Sequence, residues 1–193
     1  MIIDKKIFNF KLSELFFYLS IVLLLLCAVP VKAQQSSRTL RCYQYSQGLI
    51  KQQKYSDADM FLTQGIMKDP RSEKLLLLRA TNRANNLGKI HEAINDYSLI
   101  LRMNPKNYKI FFRRGVWLYK LGQYALALKD FNRTISLKPR YSKAYLERAK
   151  VYALFGDHKR AKMDLNTLVK INPSYKRAAD TLYSRIIQGR RDL

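Results

Sequence analysis

Gly88, Gly122 and Gly156 stand 34 residues apart, and Pro105, Pro139 and Pro173 keep the same interval. A fixed period of this length, set by residues that end helices and turn the chain, is what a stack of helical hairpins produces. It constrains the fold more than any local propensity does, and it bears on function. Stacked hairpins build an extended concave surface, so binding residues are to be sought along that surface rather than in an enclosed catalytic pocket.

Registers opening at Thr39, Lys74, Tyr108 and Ser142 align the repeats. Near the start of each first helix comes a bulky or apolar residue: Cys42, Leu77, Phe111 and Tyr145. A small residue follows one turn later (Ser46, Thr81, Gly115, Ala149), and Leu49, Ala84, Leu118 and Tyr152 continue the apolar face. Small residues admit a neighbouring helix closely, and large ones fill the space between helices. The turn carries Gly88, Gly122 and Gly156, but Gln53 in the first unit. The second helix then shows Ala58, Ala93, Ala127 and Ala161, and next Leu62, Tyr97, Phe131 and Leu165. Pro70, Pro105, Pro139 and Pro173 close the units. The interval from Pro70 to Pro105 is one residue longer than the rest, and the linker Arg71–Glu73 is where the extra residue is expected.

On these residues the segment from Thr39 to Tyr175 resembles the tetratricopeptide repeat family. The third unit fits the pattern best, through Phe111, Gly115, Gly122, Tyr124, Ala127, Phe131 and Pro139. The resemblance implies an all-α solenoid of about four helical hairpins wound as a right-handed superhelix, with units at 39–73, 74–107, 108–141 and 142–175. A short linker, 34–38, precedes them. Residues 176–193 are expected to form a capping helix and basic tail, with Ala178, Ala179, Leu182, Ile186 and Ile187 as its apolar face.

Residues 1–33 read as an address. Lys5, Lys6 and Lys11 precede the apolar run Leu15–Val29, and Val31 and Ala33 suit cleavage before Gln34. The run holds 15 residues, short of the ~20 that a spanning helix needs. A secretory signal peptide is therefore the expectation, with a single-span anchor as its alternative and an exported location (periplasm, envelope or outside) as its consequence. Cleavage would remove four lysines and two acids, taking the net charge from +22 to +20. It would also leave Cys42 as the only thiol, so packing rather than disulfides must hold the domain.

No catalytic set is visible. His91 and His158 fall at different registers with no convergent partners, and phosphate-binding loops and ligand-spaced Cys/His clusters are missing. Neither an enzyme nor a cofactor, metal or small-molecule substrate is expected. Asp96, Asp130 and Asp164 recur at the repeat interval, as do Arg114 and Arg148. Ion pairs across neighbouring units, Asp96–Arg114 and Asp130–Arg148, are the expected reading, since carboxylates a full repeat apart cannot share one ion. Asn132-Arg133-Thr134 matches the glycosylation pattern but lies in a helix and is taken as coincidence.

The family resemblance implies that first-helix residues line the concave face. Those singled out are Tyr43, Asn82, Lys109, Phe112, Arg113, Tyr119, Lys143 and Lys150. Leu40, Gln47, Leu75, Leu78, Val116 and Leu146 lie beside them. Aromatics, aliphatics and lysines without an acid favour a protein or peptide bearing carboxylates and apolar anchors. The carboxylate clamp known from co-chaperone members is incomplete here: Lys109 and Arg113 match its last part, but Tyr43, Gln47 and Arg79 occupy the earlier positions. The strong basic charge is most simply a solvated surface. It also admits an anionic membrane or envelope surface as partner, whereas export and the lack of a recognised module disfavour nucleic acid.

Overall fold

A computed structural model describes residues 5–188, side chains of 5–13 and 23–33 excepted. The cleavage site expected before Gln34 and the basic tail Arg190-Arg191 therefore fall wholly or partly outside the described residues. The chain is an all-α solenoid: α1 (Lys5–Lys51), α2 (Tyr55–Lys68), α3 (Glu73–Asn85), α4 (Ile90–Met103), α5 (Tyr108–Lys120), α6 (Tyr124–Leu137), α7 (Ser142–Leu154), α8 (His158–Ile171) and α9 (Lys176–Ile187). Each odd-numbered helix from α1 to α7 pairs with the next to make a hairpin, and each hairpin stacks on its neighbour.

Inside the hairpins, the four alanines Ala58, Ala93, Ala127 and Ala161 are fully buried, which brings paired helices close. Leu62, Tyr97, Phe131 and Leu165 then fill the space one turn further on. A Cβ at Gly115 would meet the Phe131 ring at 2.8 Å, so the α5–α6 crossing depends on the missing side chain. At the C-terminal end, α9 buries Ala179, Leu182 and Ile186 against the last hairpin; Ala178 and Ile187, expected on that face, are exposed.

The hairpin turns share one backbone device. Gly88, Gly122 and Gly156 take φ of +66°, +75° and +74°, and Gln53 takes +60° at the same point of the first turn. The geometry is thus kept where the sequence departs from glycine, and the first unit bears the cost of a side chain in the left-handed region.

Two expectations change. The extra residue of the second unit is not in the linker: every linker from second to first helix holds four residues, whereas the α3–α4 turn holds Asn86–Lys89, one more than the other turns. Along the first helices, the true counterparts of Phe111 and Gly115 are therefore Leu76 and Ala80, not Leu77 and Thr81. The ion pairs also run differently. Arg79, Arg114 and Arg148 pair with Asp96, Asp130 and Asp164 of their own hairpins, each through two bonds of 2.7–3.0 Å. The paired helices of one hairpin lie side by side, so the arginine meets the carboxylate of its own unit first. Its remaining Nη1 donates backwards to the preceding unit: to Thr63 at 3.1 Å, Ser98 at 2.9 Å and Asn132 at 2.7 Å. One guanidinium thereby closes a hairpin and stitches it to its neighbour. Burial pushes the Asp130 carboxyl above the ordinary carboxylate range, against the opposing pull of Arg114.

Candidate functional site

First helices of successive units touch (α1 with α3, α5 with α7, α7 with α9), and no pair of second helices is in comparable contact among the described residues. The stack is tighter along its first helices, so it curves towards them and their outward residues form the inner face.

With the register corrected, that face has a simple rule. The second residue of each inner first helix is a lysine: Lys74, Lys109 and Lys143, all exposed. Three residues on stands a half-buried apolar residue: Leu77, Phe112 and Leu146. The first unit carries Leu40 and Tyr43 at these places, and the Lys74 Nζ lies 4.3 Å from the centre of the Tyr43 ring. The Tyr43 hydroxyl also accepts from Gln47 Nε2 at 3.0 Å. Phe112 packs edge-on to Tyr141 with ring centres 5.1 Å apart, fixing it as a rigid apolar ledge. Arg113 beside it is exposed.

Other predicted site residues behave differently. Asn82 is only 1% exposed; its amide donates to the Tyr55 carbonyl at 2.8 Å and its oxygen accepts from Asn86. It ties α3 to α2 and lines no accessible surface. Leu75, expected beside it, is fully buried. Both were misplaced by the extra residue in the α3–α4 turn, which also hid Lys74; counting that turn against Leu121–Gln123 of the next hairpin is the signal that recovers it. The inner face is not free of acid either. Glu147 receives Lys150 Nζ at 2.9 Å, so Lys150 offers less charge to a partner than Lys109 or Lys143. Tyr119 is half-buried with its ring 5.5 Å from Tyr124, and burial together with nearby Glu147 raises its phenol above the usual range.

His91 and His158 are exposed at the starts of α4 and α8. No group of three or more His, Cys, Asp or Glu side chains that could hold a metal ion occurs among the described residues. Cys42 is half-buried with its thiol pushed up by burial, and Sγ donates to the Phe61 carbonyl at 3.4 Å.

Residues 108–141 and 142–175 each match the family model described as Tetratricopeptide repeat. Solved structures share the architecture. A MamA protein aligns with a TM-score of 0.69 at 17% identity, over 78% of this chain and 87% of that one. A tetratricopeptide repeat protein from Parabacteroides merdae gives 0.72 at 20% identity, over 79% and 61%. MamA from Desulfovibrio magneticus gives 0.66 at 17%, over 78% and 94%. At such identities the likeness is one of fold. No curated protein matches in sequence. Residues 108–175 thus match the tetratricopeptide repeat family, the chain shares the fold of such repeat proteins, and repeats of this kind support protein–protein interaction in general.

Proposed function

We propose that this chain is an exported, non-enzymatic adaptor whose inner face holds a protein or peptide segment carrying both carboxylates and apolar side chains. The observation that carries this reading is the repeated pair of exposed lysine and apolar ledge, Lys74–Leu77, Lys109–Phe112 and Lys143–Leu146, on three successive units. An extended or helical segment lying along the face meets the same chemistry at each step: a cation to steer and a ledge to anchor. Phe112, held by Tyr141, is the anchor expected to carry the most affinity.

Export rests on the N-terminal segment. Leu15, Phe16, Phe17 and Tyr18 are all more than half exposed, so the solenoid has no use for them as core. Such a segment suits an address read by an export machinery and then removed. Among the described residues no helix is long and apolar enough to cross a membrane. Retention of residues 1–33 as an anchor is the second reading of the same exposed segment. The mature N-terminus decides between them: Gln34 means cleavage, Met1 means retention.

The binding reading is tested by cross-linked capture from the native host with the tagged full chain, beside the triple variant Lys109→Glu, Phe112→Ala, Lys143→Glu, at low and moderate salt. Retention of a small set of proteins at moderate salt, lost in the variant, supports the adaptor. Broad capture that disappears with salt and ignores the variant makes the basic charge itself the function and removes the adaptor reading.

A further inference from the structure

The N-terminal end of the solenoid holds a second candidate site, remote from the inner face. Between α1 and α2, on the side away from α3, lies a crevice of about 750 Å³ lined by Arg38, Arg41, Tyr45, Phe61, Gln64 and Lys68. Its position has a clear meaning in the repeat. The counterparts of Arg41 in the inner units are Leu75, Ile110 and Ala144, all 0–1% exposed, and Leu75 and Ile110 belong to a core shared with the second helices α2 and α4. The counterparts of Tyr45 are Arg79, Arg114 and Arg148, the residues that stitch backwards to the second helix of the preceding unit. The crevice is therefore the stacking place that a preceding second helix would fill, left open at the first unit.

A terminal unit that merely faced water would need a polar, filled surface here. This one is hollow and partly apolar. Tyr45 and Phe61 form an edge-on pair with ring centres 4.8 Å apart, yet they remain 55% and 37% exposed. Cys42 and Gly65 stand where the inner units carry Leu76 with Ile100, Phe111 with Thr134 and Tyr145 with Leu168; this smaller pair is closely packed, since a Cβ at Gly65 would meet the Cys42 Sγ at 2.5 Å, and it lets α1 and α2 approach beneath the crevice. Around the aromatic floor, Arg38, Arg41 and Lys68 make no ion pair among the described residues, while the nearby acid, Asp69, already accepts from Thr39 at 2.9 Å.

We infer that this end face binds an amphipathic helix of a partner protein, presenting an apolar stripe flanked by carboxylates, which stacks as the missing second helix. The helical form follows from the stacking place; the acids follow from three unpaired cations around aromatic rings. A second copy of this basic chain is a poor occupant, because its net charge of +22 would repel itself.

The test uses the full chain in mild detergent and a fluorescein-labelled 14-residue helix, the length of α4 and α6, with leucines on one face and glutamates beside them. Fluorescence anisotropy reads its affinity. Arg38→Glu with Arg41→Glu should weaken binding at least about tenfold, and Phe61→Ala by a similar factor, as expected for central contacts. Lys170→Glu with Arg177→Glu, both exposed near the other end of the solenoid, should leave it within about twofold, because charges so far from the crevice act only at long range. Equal binding of a shuffled peptide, or loss in this distant variant with the end-face variants intact, overturns the proposal. So does binding of anionic phosphatidylglycerol vesicles, but not the peptide, through Arg38 and Arg41; that result would make the face a lipid contact.

Discussion

The first unit and the three inner ones share a backbone but not a means of holding it. Each inner hairpin closes on a buried arginine–aspartate pair that also reaches back to its neighbour; the first hairpin has the exposed Tyr45–Phe61 pair at the same place. Each inner turn has a glycine at positive φ; the first has Gln53. Inner first helices place alanine or glycine at the tightest approach; the first has Ser46. The difference teaches that the repeat's chemistry serves stacking on a preceding unit. Where no unit precedes, those residues are released and others stand in their places.

That contrast predicts its own largest effect. Asp130→Ala leaves Arg114 half-buried without its carboxylate and loosens both the α5–α6 hairpin and the bond to Ser98. A loss of about 2–3 kcal/mol is expected, from the cost of breaking a buried pair discounted for the partly exposed guanidinium. Phe61→Ala at the matching place in the first unit should cost less than about 1 kcal/mol, because that side chain is already partly in water. Thermal unfolding of both variants checks this, and similar drops would remove the distinction between end and inner units.

A pH effect should also belong to the inner units. In the row Leu62, Tyr97, Phe131, Leu165, only Tyr97 can ionise, and burial raises its phenol above the ordinary value of 10.0 against the opposing influence of Thr81 and Arg113. The folded state then holds the proton more tightly than the unfolded chain. The stability this gives is fully present below pH 10 and is lost as pH rises through the folded-state value. Melting temperature followed from neutral to strongly alkaline pH should fall beyond that point, and Tyr97→Phe should flatten the fall. An unchanged slope in the variant would assign the loss to other groups.

How much of this was legible beforehand depended on single residues. Turn glycines and linker prolines carry fold information directly, because each fixes a backbone geometry, and the four-hairpin plan follows from them. The ion-pair residues Asp96, Asp130, Asp164, Arg114 and Arg148 were also visible by period. Their pairing was not, since a repeat interval is equally compatible with bonds within or between units, and only the side-by-side paired helices choose. One extra residue in the α3–α4 turn displaced the second unit's first helix, which hid Arg79 and Lys74 and promoted Asn82 to a surface it does not reach. The end crevice shows in the sequence only as a departure from the period: Arg41 and Tyr45 stand where the inner units carry residues that pack on a preceding second helix.

A smaller test exchanges the turn residues. Gln53→Gly relieves a side chain at φ +60° and should raise stability by up to about 1 kcal/mol, while Gly122→Ala at φ +75° should lower it by about the same amount. Equal and opposite shifts in melting temperature would show that the first turn holds its conformation against its sequence. No gain in Gln53→Gly would mean that the side chain is compensated locally, and the first unit would then be less strained than its backbone implies.

The smallest effect is expected at Ser46. Its hydroxyl is fully buried without a hydrogen bond of good geometry, facing the Cys42 thiol, at the place where Ala80, Gly115 and Ala149 stand in the inner units. Ser46→Ala removes a desolvated hydroxyl and adds helix propensity, so a gain of about 0.5–1 kcal/mol follows if α1 and α2 pack as tightly as the inner hairpins. A loss instead would mean that the hydroxyl is solvated through the adjoining crevice. The first hairpin would then open there in solution, and its difference from the inner units would be one of motion as well as of composition.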